Sequence, residues 1–485
     1  MSFFKAYDMR GTFGVDFDLG TVYKVGKALP QVVKGRRWLV GRDCRVTSKD
    51  VRDALVKGLA ESGAEVTDLG LCTTPMVYFF TAEENFDGSV MITASHNPPS
   101  DNGLKVSMRT ALPVGYANGL NEVERLVNAS QEGAKWAEKP FANLRAVSGT
   151  KTSALKVYGD WMRSHSPLPV PSSLHYAVDC SNGMSSILVH ELFPEAIVIN
   201  DTLDGTFPNH SPNPLKAEAR EQVAALVREK GLDCGVIFDG DADRCMFVDG
   251  RGEFVQPDYL IPVVARATIG FLTQRHRDTE AKKPELRDSV PLCLKIIHDV
   301  RTSRGAIEEL RRMGCEPVMV PVGHAFAKPI LRETGAVCGG ELAGHYYFSE
   351  FHGCDSGVLA ALRILGEIAK AKAAGKSFSE MMRPITGAYA NSGELNFKVP
   401  PTPRLRRTGE DPKDKAIARV LAAAREKLPQ EISRSEIDGI RIEYAEGWIN
   451  IRKSNTEPYL RLIVECDTAE RLKNWADALS GAIIG

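Results

Sequence analysis

Four short stretches of this 485-residue chain carry side chains able to do chemistry at close spacing. The first is TASHNPPSDNGLKV, residues 93 to 106, where Ser95, His96 and Lys105 put a hydroxyl, an imidazole and an ammonium on one loop. Pro98 and Pro99 stiffen that loop, and Asn102 with Gly103 reads as the turn returning Lys105 towards the serine. The second, FDGDADR at 238 to 244, sets Asp239, Asp241 and Asp243 at alternate positions before Arg244. Carboxylates crowded on a Gly-containing loop are hard oxygen ligands whose repulsion a small divalent cation relieves; magnesium fits, because it keeps positions open for phosphate oxygens. An EF-hand is excluded by the spacing.

The third stretch, GGELAGH at 339 to 345, places Glu341 and His345 among glycines, where an ionised carboxylate can hold vicinal sugar hydroxyls. The fourth, RKSNTEPYLR at 452 to 461, offers Arg452, Ser454, Asn455, Thr456 and Arg461 between two strands, a donor set suited to a doubly charged phosphate. No P-loop sequence occurs, which disfavours a nucleoside triphosphate.

Elements that alternate strand and helix must position these loops, the pattern of a mostly parallel sheet. A helix is expected near residues 22 to 33, then the strand WLVGRD, then a helix behind Thr47 and Ser48, either of which can cap it, with Val51, Leu55 and Leu59 at i, i+4 and i+8. EVTDLG and SVMITAS read as strands around a helix at 76 to 81. The pattern restarts with HYAVDCSNG, a helix at 186 to 193, AIVIND, a helix at 221 to 230, and CGVIFDGDADR. It restarts again with PLCLKII, AIEELRRMG, PVMVPVG and GAVCGGELAGHYYF. In each round one strand ends in a small polar loop, at Ser95, Asp239 and Glu341, and the three loops are expected to line one crevice. Charged segments at 275 to 289 and 400 to 415 read as solvated loops, and 371 to 394 as a hinge. Beyond it, a helix at 416 to 427 and the strands DGIRIEY, WINIRKS and LRLIVEC suggest an α+β module.

Hydrophobic residues at 43%, charged residues at 25% and a net charge of -1 describe a globular chain with no global attraction to nucleic acid or anionic membrane. The ten cysteines fall singly and read as buried apolar residues of a reducing compartment. Neither a signal peptide nor an 18-residue apolar run is present, so a cytoplasmic location is expected.

Six motifs in order, AYDMRG, TASHNPPSDNGLKV, DGTFPNHSPNP, DGDADR, GGELAGH and RKSNTEPYLR, make the chain resemble the α-D-phosphohexomutases, the phosphomannomutase/phosphoglucomutase superfamily. The resemblance implies an α/β protein: three similar mixed α/β domains and a C-terminal α+β domain of the TATA-box-binding-protein-like kind, in a heart-shaped molecule. The expected boundaries are 1–148, 149–250, 251–384 and 385–485. It further implies that Ser95 is carried as phosphoserine, that Asp239, Asp241 and Asp243 bind one magnesium together with a phosphoserine oxygen, and that Glu341 reads sugar hydroxyls. By the same resemblance Tyr7, Arg10, His96, Lys105, Arg244 and His345 surround the reacting phosphoryl group, and the tail loop grips the other phosphate. Gly323 and His324 match the family's third-domain pair, and Arg301 stands where many relatives carry lysine. One departure is Ala343, at a place in the sugar loop where the family usually has serine.

The expected activity is that of an isomerase, an intramolecular phosphotransferase interconverting hexose 1- and 6-phosphates of mannose or glucose through a hexose 1,6-bisphosphate, with Lys105, His345 or Arg10 assisting the proton. Phosphoglucosamine turnover, a magnesium-dependent phosphatase and a non-catalytic sugar-phosphate sensor are the rivals. The expected partner is a small sugar phosphate, with no nucleic acid or membrane, and the chain acts as a monomer or homodimer.

Overall fold

A computed structural model describes residues 3–130, 145–146, 151–166, 170–282, 293–399, 411–454 and 459–484. Asn455 and Thr456, and the segments 283–289 and 400–410 of the charged insertions, lie outside them.

The first three sheets share one wiring. In the first, Arg37–Arg42 lies between its parallel partners Glu65–Leu71 and Gly88–Ile92, and Asp101–Met108 runs antiparallel beyond the latter. In the second, Tyr176–Asp179 lies between Ile197–Ile199 and Cys234–Phe238, followed by antiparallel Cys245–Asp249. In the third, Lys295–Asp299 lies between Glu316–Val320 and Cys338–Gly340, followed by antiparallel Tyr346–Phe348. Each central strand is buried on both faces over most of its length, around the apolar stretches Trp38–Val40, Tyr176–Val178 and Ile296–Ile297, as a helix-covered parallel sheet requires. Ser95, Asp239 and Glu341 therefore occupy the same topological position, just past the parallel strand that separates the central strand from the antiparallel one.

Helices form where expected, with local differences that have physical reasons. Ser48–Glu61 is not capped by either predicted side chain: Ser48 Oγ donates instead to Asp43, and Thr47 Oγ1 accepts from Asn102. Residues 186 to 193 form a 3-10 turn, Met184–Ile187, and one short turn, Val189–Leu192, rather than a continuous helix. Asn102 and Gly103 are not a turn but the start of the strand Asp101–Met108; a Cβ on Gly103 would strike the Met9 carbonyl of the paired strand. The chain reverses earlier, in the prolines, and the antiparallel return still delivers Lys105 to the serine's side. Within the charged segments, Ile261–Lys282 is a helix past residue 275, and Pro412–Lys427 is a helix whose Asp411 caps Lys413 N. The expected hinge is itself folded, into the helix Phe378–Thr386, closed by a Ser377 and Glu380 capping box, and the strand Ala390–Asn391.

The fourth sheet is antiparallel in its described pairings, in the order Ala390–Asn391, Tyr459–Cys466, Gly447–Lys453, Ile440–Glu443 and Ser433–Ser435, with Leu395–Lys398 also on Tyr459–Cys466. Its helices Pro412–Lys427 and Ala469–Ile484 bury Val420 and Leu479 against it. One apolar cluster runs through the first three units, from Phe79 through Phe238 to Leu362, whereas the fourth unit has its own. Polar groups join the fourth to the third: Arg304 donates to Glu443 and to the carbonyls of Tyr444, Ala445 and Gly447, and Arg441 to the carbonyls of Val300 and Thr302. Among the described residues no helix is long and apolar enough to cross a membrane. Eight of the ten cysteines are buried, Cys44 is half-buried, and Cys293 is exposed.

Candidate active site

Ser95 sits past Gly88–Ile92 with φ at +52°, a left-handed conformation that costs a residue with a Cβ roughly 1–2 kcal/mol. Its hydroxyl donates to Asp239 Oδ2 at 2.7 Å, and His96 Nδ1 lies 3.2 Å from Ser95 Oγ. Ser95 is 1% exposed and Asp239 fully buried. The second unit approaches so closely that a Cβ on Gly240 would sit 2.6 Å from the Ser95 carbonyl oxygen.

Lys105 Nζ bridges Asp241 Oδ2 at 2.7 Å and Asp243 Oδ2 at 2.5 Å. Burial pushes this ammonium down, but the two carboxylates outweigh burial and hold its pKa above the usual lysine range. Asp239 is pushed well up by burial and by the neighbouring Asp241 and Asp243. Asp241 goes the other way: burial raises it, but Lys105 and the hydroxyl of Thr74, 2.5 Å away, hold it below the usual carboxylate range. Ligand oxygens of Asp239, Asp241 and Asp243 all lie within 4.8 Å of one another. Asp241 Oδ1 and Asp243 Oδ1 are buried and accept no hydrogen bond from the described residues. Clustered carboxylates with orphaned oxygens fit a divalent cation.

Across the trio, Arg244 Nε donates to His345 Nε2 at 2.9 Å, and His345 Nδ1 faces Asp355 Oδ2 at 2.7 Å. An accepting Nε2 requires the proton on Nδ1, so Asp355 sets the tautomer. Lys328, fully buried, holds the other oxygen of Asp355 at 2.8 Å and lies over the Tyr78 ring. Burial raises the Asp355 carboxyl, but Lys328 and His345 bring it well below the usual range. His96 is pushed well down by burial and by the cations Arg244, Arg10 and Lys105. Arg10 reaches the serine loop through Asn97, at 3.0 Å, and pairs with Asp8. Tyr7 donates to the Val322 carbonyl and packs edge-on to His324 and Phe326. Gly323, with φ at +121°, lets that ring approach.

Glu341 accepts from Tyr347 at 2.6 Å and is pushed up chiefly by burial. Its backbone N–H donates to the His345 carbonyl, which ties the sugar-loop carboxylate to the imidazole. Arg301 lies 3.8 Å from Glu341 and 3.4 Å from Glu394, while Arg452 and Arg461 meet Glu394 at 3.0 and 2.7 Å. A chain of polar contacts thus runs from Arg244 beside Asp239, through His345, Glu341, Arg301 and Glu394, to Arg452. Ser454 closes the described part of the tail loop, its N–H bonded to the Tyr459 carbonyl.

Thr74, Lys328, Asp355, Glu394 and Arg45, whose Nη2 donates to the Ser95 carbonyl at 2.8 Å, are part of this arrangement and were not expected. Arg45 had a readable signal, since Asp43-Cys44-Arg45 ends a strand as Asp299-Val300-Arg301 does. Glu394 had none, because its partners are 58 to 93 residues distant in sequence.

Family models match along the chain: phosphoglucomutase/phosphomannomutase alpha/beta/alpha domain I over residues 1–134, domain II over 167–252, domain III over 269–389, and the C-terminal domain over 394–482. A phosphomannomutase of Escherichia coli is 34% identical over 96% of this chain and 96% of its own length. Phosphohexose mutases of Xanthomonas campestris pv. campestris are 34% identical over 95% and 94%. The crystal structure of a phosphoglucomutase/phosphomannomutase family protein from Burkholderia thailandensis, 27% identical, superposes with a TM-score of 0.79 over 99% of this chain and 96% of that one. With all four domain models matched in order, the chain belongs to the phosphoglucomutase/phosphomannomutase family and is a mutase enzyme of that family.

Proposed function

We propose that the protein interconverts hexose 1-phosphate and hexose 6-phosphate, of mannose or glucose, with Ser95 carrying the transferred phosphoryl group. The Ser95 hydroxyl's position against the aspartate trio, with Lys105 bridging two of its members, is the observation that carries this reading. The O–P bond on Ser95 breaks as one forms to the free sugar hydroxyl, and the hydroxyl proton passes to a base. Of Lys105, Arg10 and His345, the first two are held protonated by carboxylates, whereas His345 keeps a lone pair on Nε2; His345 is the base, and Arg244 turns from it towards the phosphoryl oxygens.

Asp239, Asp241 and Asp243 would hold magnesium, which when bound offsets negative charge on the transferring group. Glu341 orients the sugar hydroxyls. The clamp of Arg301, Arg452 and Arg461, with Ser454 and the tail-loop residues Asn455 and Thr456, holds the phosphate that is not reacting. The bound 1,6-bisphosphate reverses and returns its other phosphate to Ser95.

The test is Ser95→Ala. It should take up no phosphate from glucose 1,6-bisphosphate by intact mass and lose turnover on mannose and glucose 1-phosphates while keeping its melting temperature. Wild-type turnover in that variant would remove Ser95 as carrier. Release of inorganic phosphate in place of isomerised sugar phosphate would mark a phosphatase.

A further inference from the structure

We infer that Arg45 is a positioning residue for phosphoryl transfer, its guanidinium holding the Ser95 loop by four carbonyls so that the serine hydroxyl faces Asp239. The inference rests on the reading of Ser95 as the phosphoryl carrier.

Arg45 is 2% exposed. Its Nη1 donates to the carbonyls of Pro98 at 2.6 Å and Asp101 at 2.9 Å, and its Nη2 to those of Ser95 at 2.8 Å and Asn97 at 2.7 Å. All four Nη–H groups are thus spent on one loop, while Nε faces Asp43 Oδ2 at 3.2 Å. The ring of Phe207, from the second unit, covers the guanidinium at 5.0 Å. Ser95 is in a backbone conformation that a residue with a Cβ avoids, so the loop does not keep this shape unaided. Only a planar cation with a fixed fork of donors meets four carbonyls at once; an ammonium of the same charge has three protons in a tetrahedral spread.

A second observation supports a dedicated brace. At the tip of the central strand of each α/β unit a carboxylate accepts the N–H two residues on: Asp43 from Arg45, Asp179 from Ser181, and Asp299 from Arg301. The side chain at that second position then reaches past the end of the parallel strand that separates the central strand from the antiparallel one. Arg45 binds the Ser95 carbonyl, Ser181 donates to the Phe238 carbonyl at 2.6 Å, and Arg301 faces Glu341 at 3.8 Å. A contact between these two strand ends thus recurs in all three units, as a hydrogen bond to a carbonyl in the first two and as an ion pair in the third. In the first unit alone it lands on the reacting residue's own peptide.

The test compares wild type, Arg45→Lys and Arg45→Ala in the full chain. It measures phosphate on Ser95 by intact mass after glucose 1,6-bisphosphate, steady-state kcat and KM, inorganic phosphate release, and melting temperature. Arg45→Lys should lower kcat about 100-fold with KM changed less than about threefold, since a misplacement of ~1 Å at a reacting atom costs that much. Its phosphoserine should lose phosphate to water faster than wild type. Guanidinium chloride at a non-denaturing concentration should restore part of the Arg45→Ala rate, which a purely structural role would not allow. A folded Arg45→Lys with wild-type kcat overturns the inference. Failure of both variants to fold also overturns it, the arginine then being structural. A wild-type chain that turns over yet takes no phosphate on Ser95 overturns the carrier reading instead, and this inference with it.

Discussion

Arg452 and Glu394 meet across 3.0 Å, Nη2 to Oε2, inside the cluster assigned to a substrate phosphate. The carboxylate stands among three guanidinium groups drawn from two units of the fold, so the proposed clamp would be assembled around an internal anion. Burial raises the Glu394 carboxyl, but Arg301, Arg452 and Arg461 outweigh it and hold it at about 2. A folded pKa below the unfolded one contributes stability that is complete above the unfolded value, about 4.3, and is lost as pH falls towards the folded one. Glu394→Gln should therefore cost about 2–3 kcal/mol at neutral pH. Denaturant midpoints of variant and wild type should converge as pH drops below about 4; a gap independent of pH would show that the charge contributes nothing.

Arg452→Ala removes a charged donor from the clamp and nothing from the aspartate trio. KM for hexose phosphates should rise about 10- to 100-fold, the usual loss for a charge-assisted hydrogen bond. The magnesium concentration for half-maximal activity should stay put. Equal losses in both would mean that the clamp and the trio are not separate sites.

Lys105→Met leaves the buried Asp241 and Asp243 without their shared cation. In chelator the variant should be less stable than wild type by roughly 3–5 kcal/mol, the range for breaking a buried pair. Millimolar magnesium should raise its melting temperature more than it raises that of wild type. Calorimetry showing an equal or smaller increase would argue against the trio as the cation's seat.

Asp355→Asn changes the partner that keeps the proton on His345 Nδ1 and leaves Lys328 facing a neutral amide. Turnover should fall about 10²- to 10⁴-fold, as when an orienting carboxylate is lost from a catalytic histidine. Asp355→Glu should recover part of the rate if orientation is what counts. Kinetics showing no loss in the asparagine variant would place the base elsewhere.

Strand-and-loop order was legible because it lies in local signals: apolar runs, and the small polar loops that end them. The reactive loops could be read for the same reason, each carrying its chemistry within a few residues. What escaped was held by partners remote in sequence. Lys328 and Asp355 lie in stretches with no motif and meet only when the helix His324–Thr334 folds over its sheet. Gly103 was misread as a turn because a glycine needed for strand approach and a glycine needed for reversal look alike in one sequence. The capping expectation at Thr47 and Ser48 failed because their hydroxyls found other partners: Thr47 accepts from Asn102 on a strand remote in sequence, and Ser48 donates to Asp43, five residues upstream, and not to the helix end.

Among the described residues the fourth unit meets the third through arginines, carboxylates and carbonyls, while its apolar cluster is its own. Swinging it outward would hydrate ions and peptide groups and uncover little hydrocarbon. Uncovered hydrocarbon raises the heat capacity and uncovered polar surface lowers it, so the van't Hoff plot of such an opening would lack the strong positive heat-capacity curvature that unfolding gives.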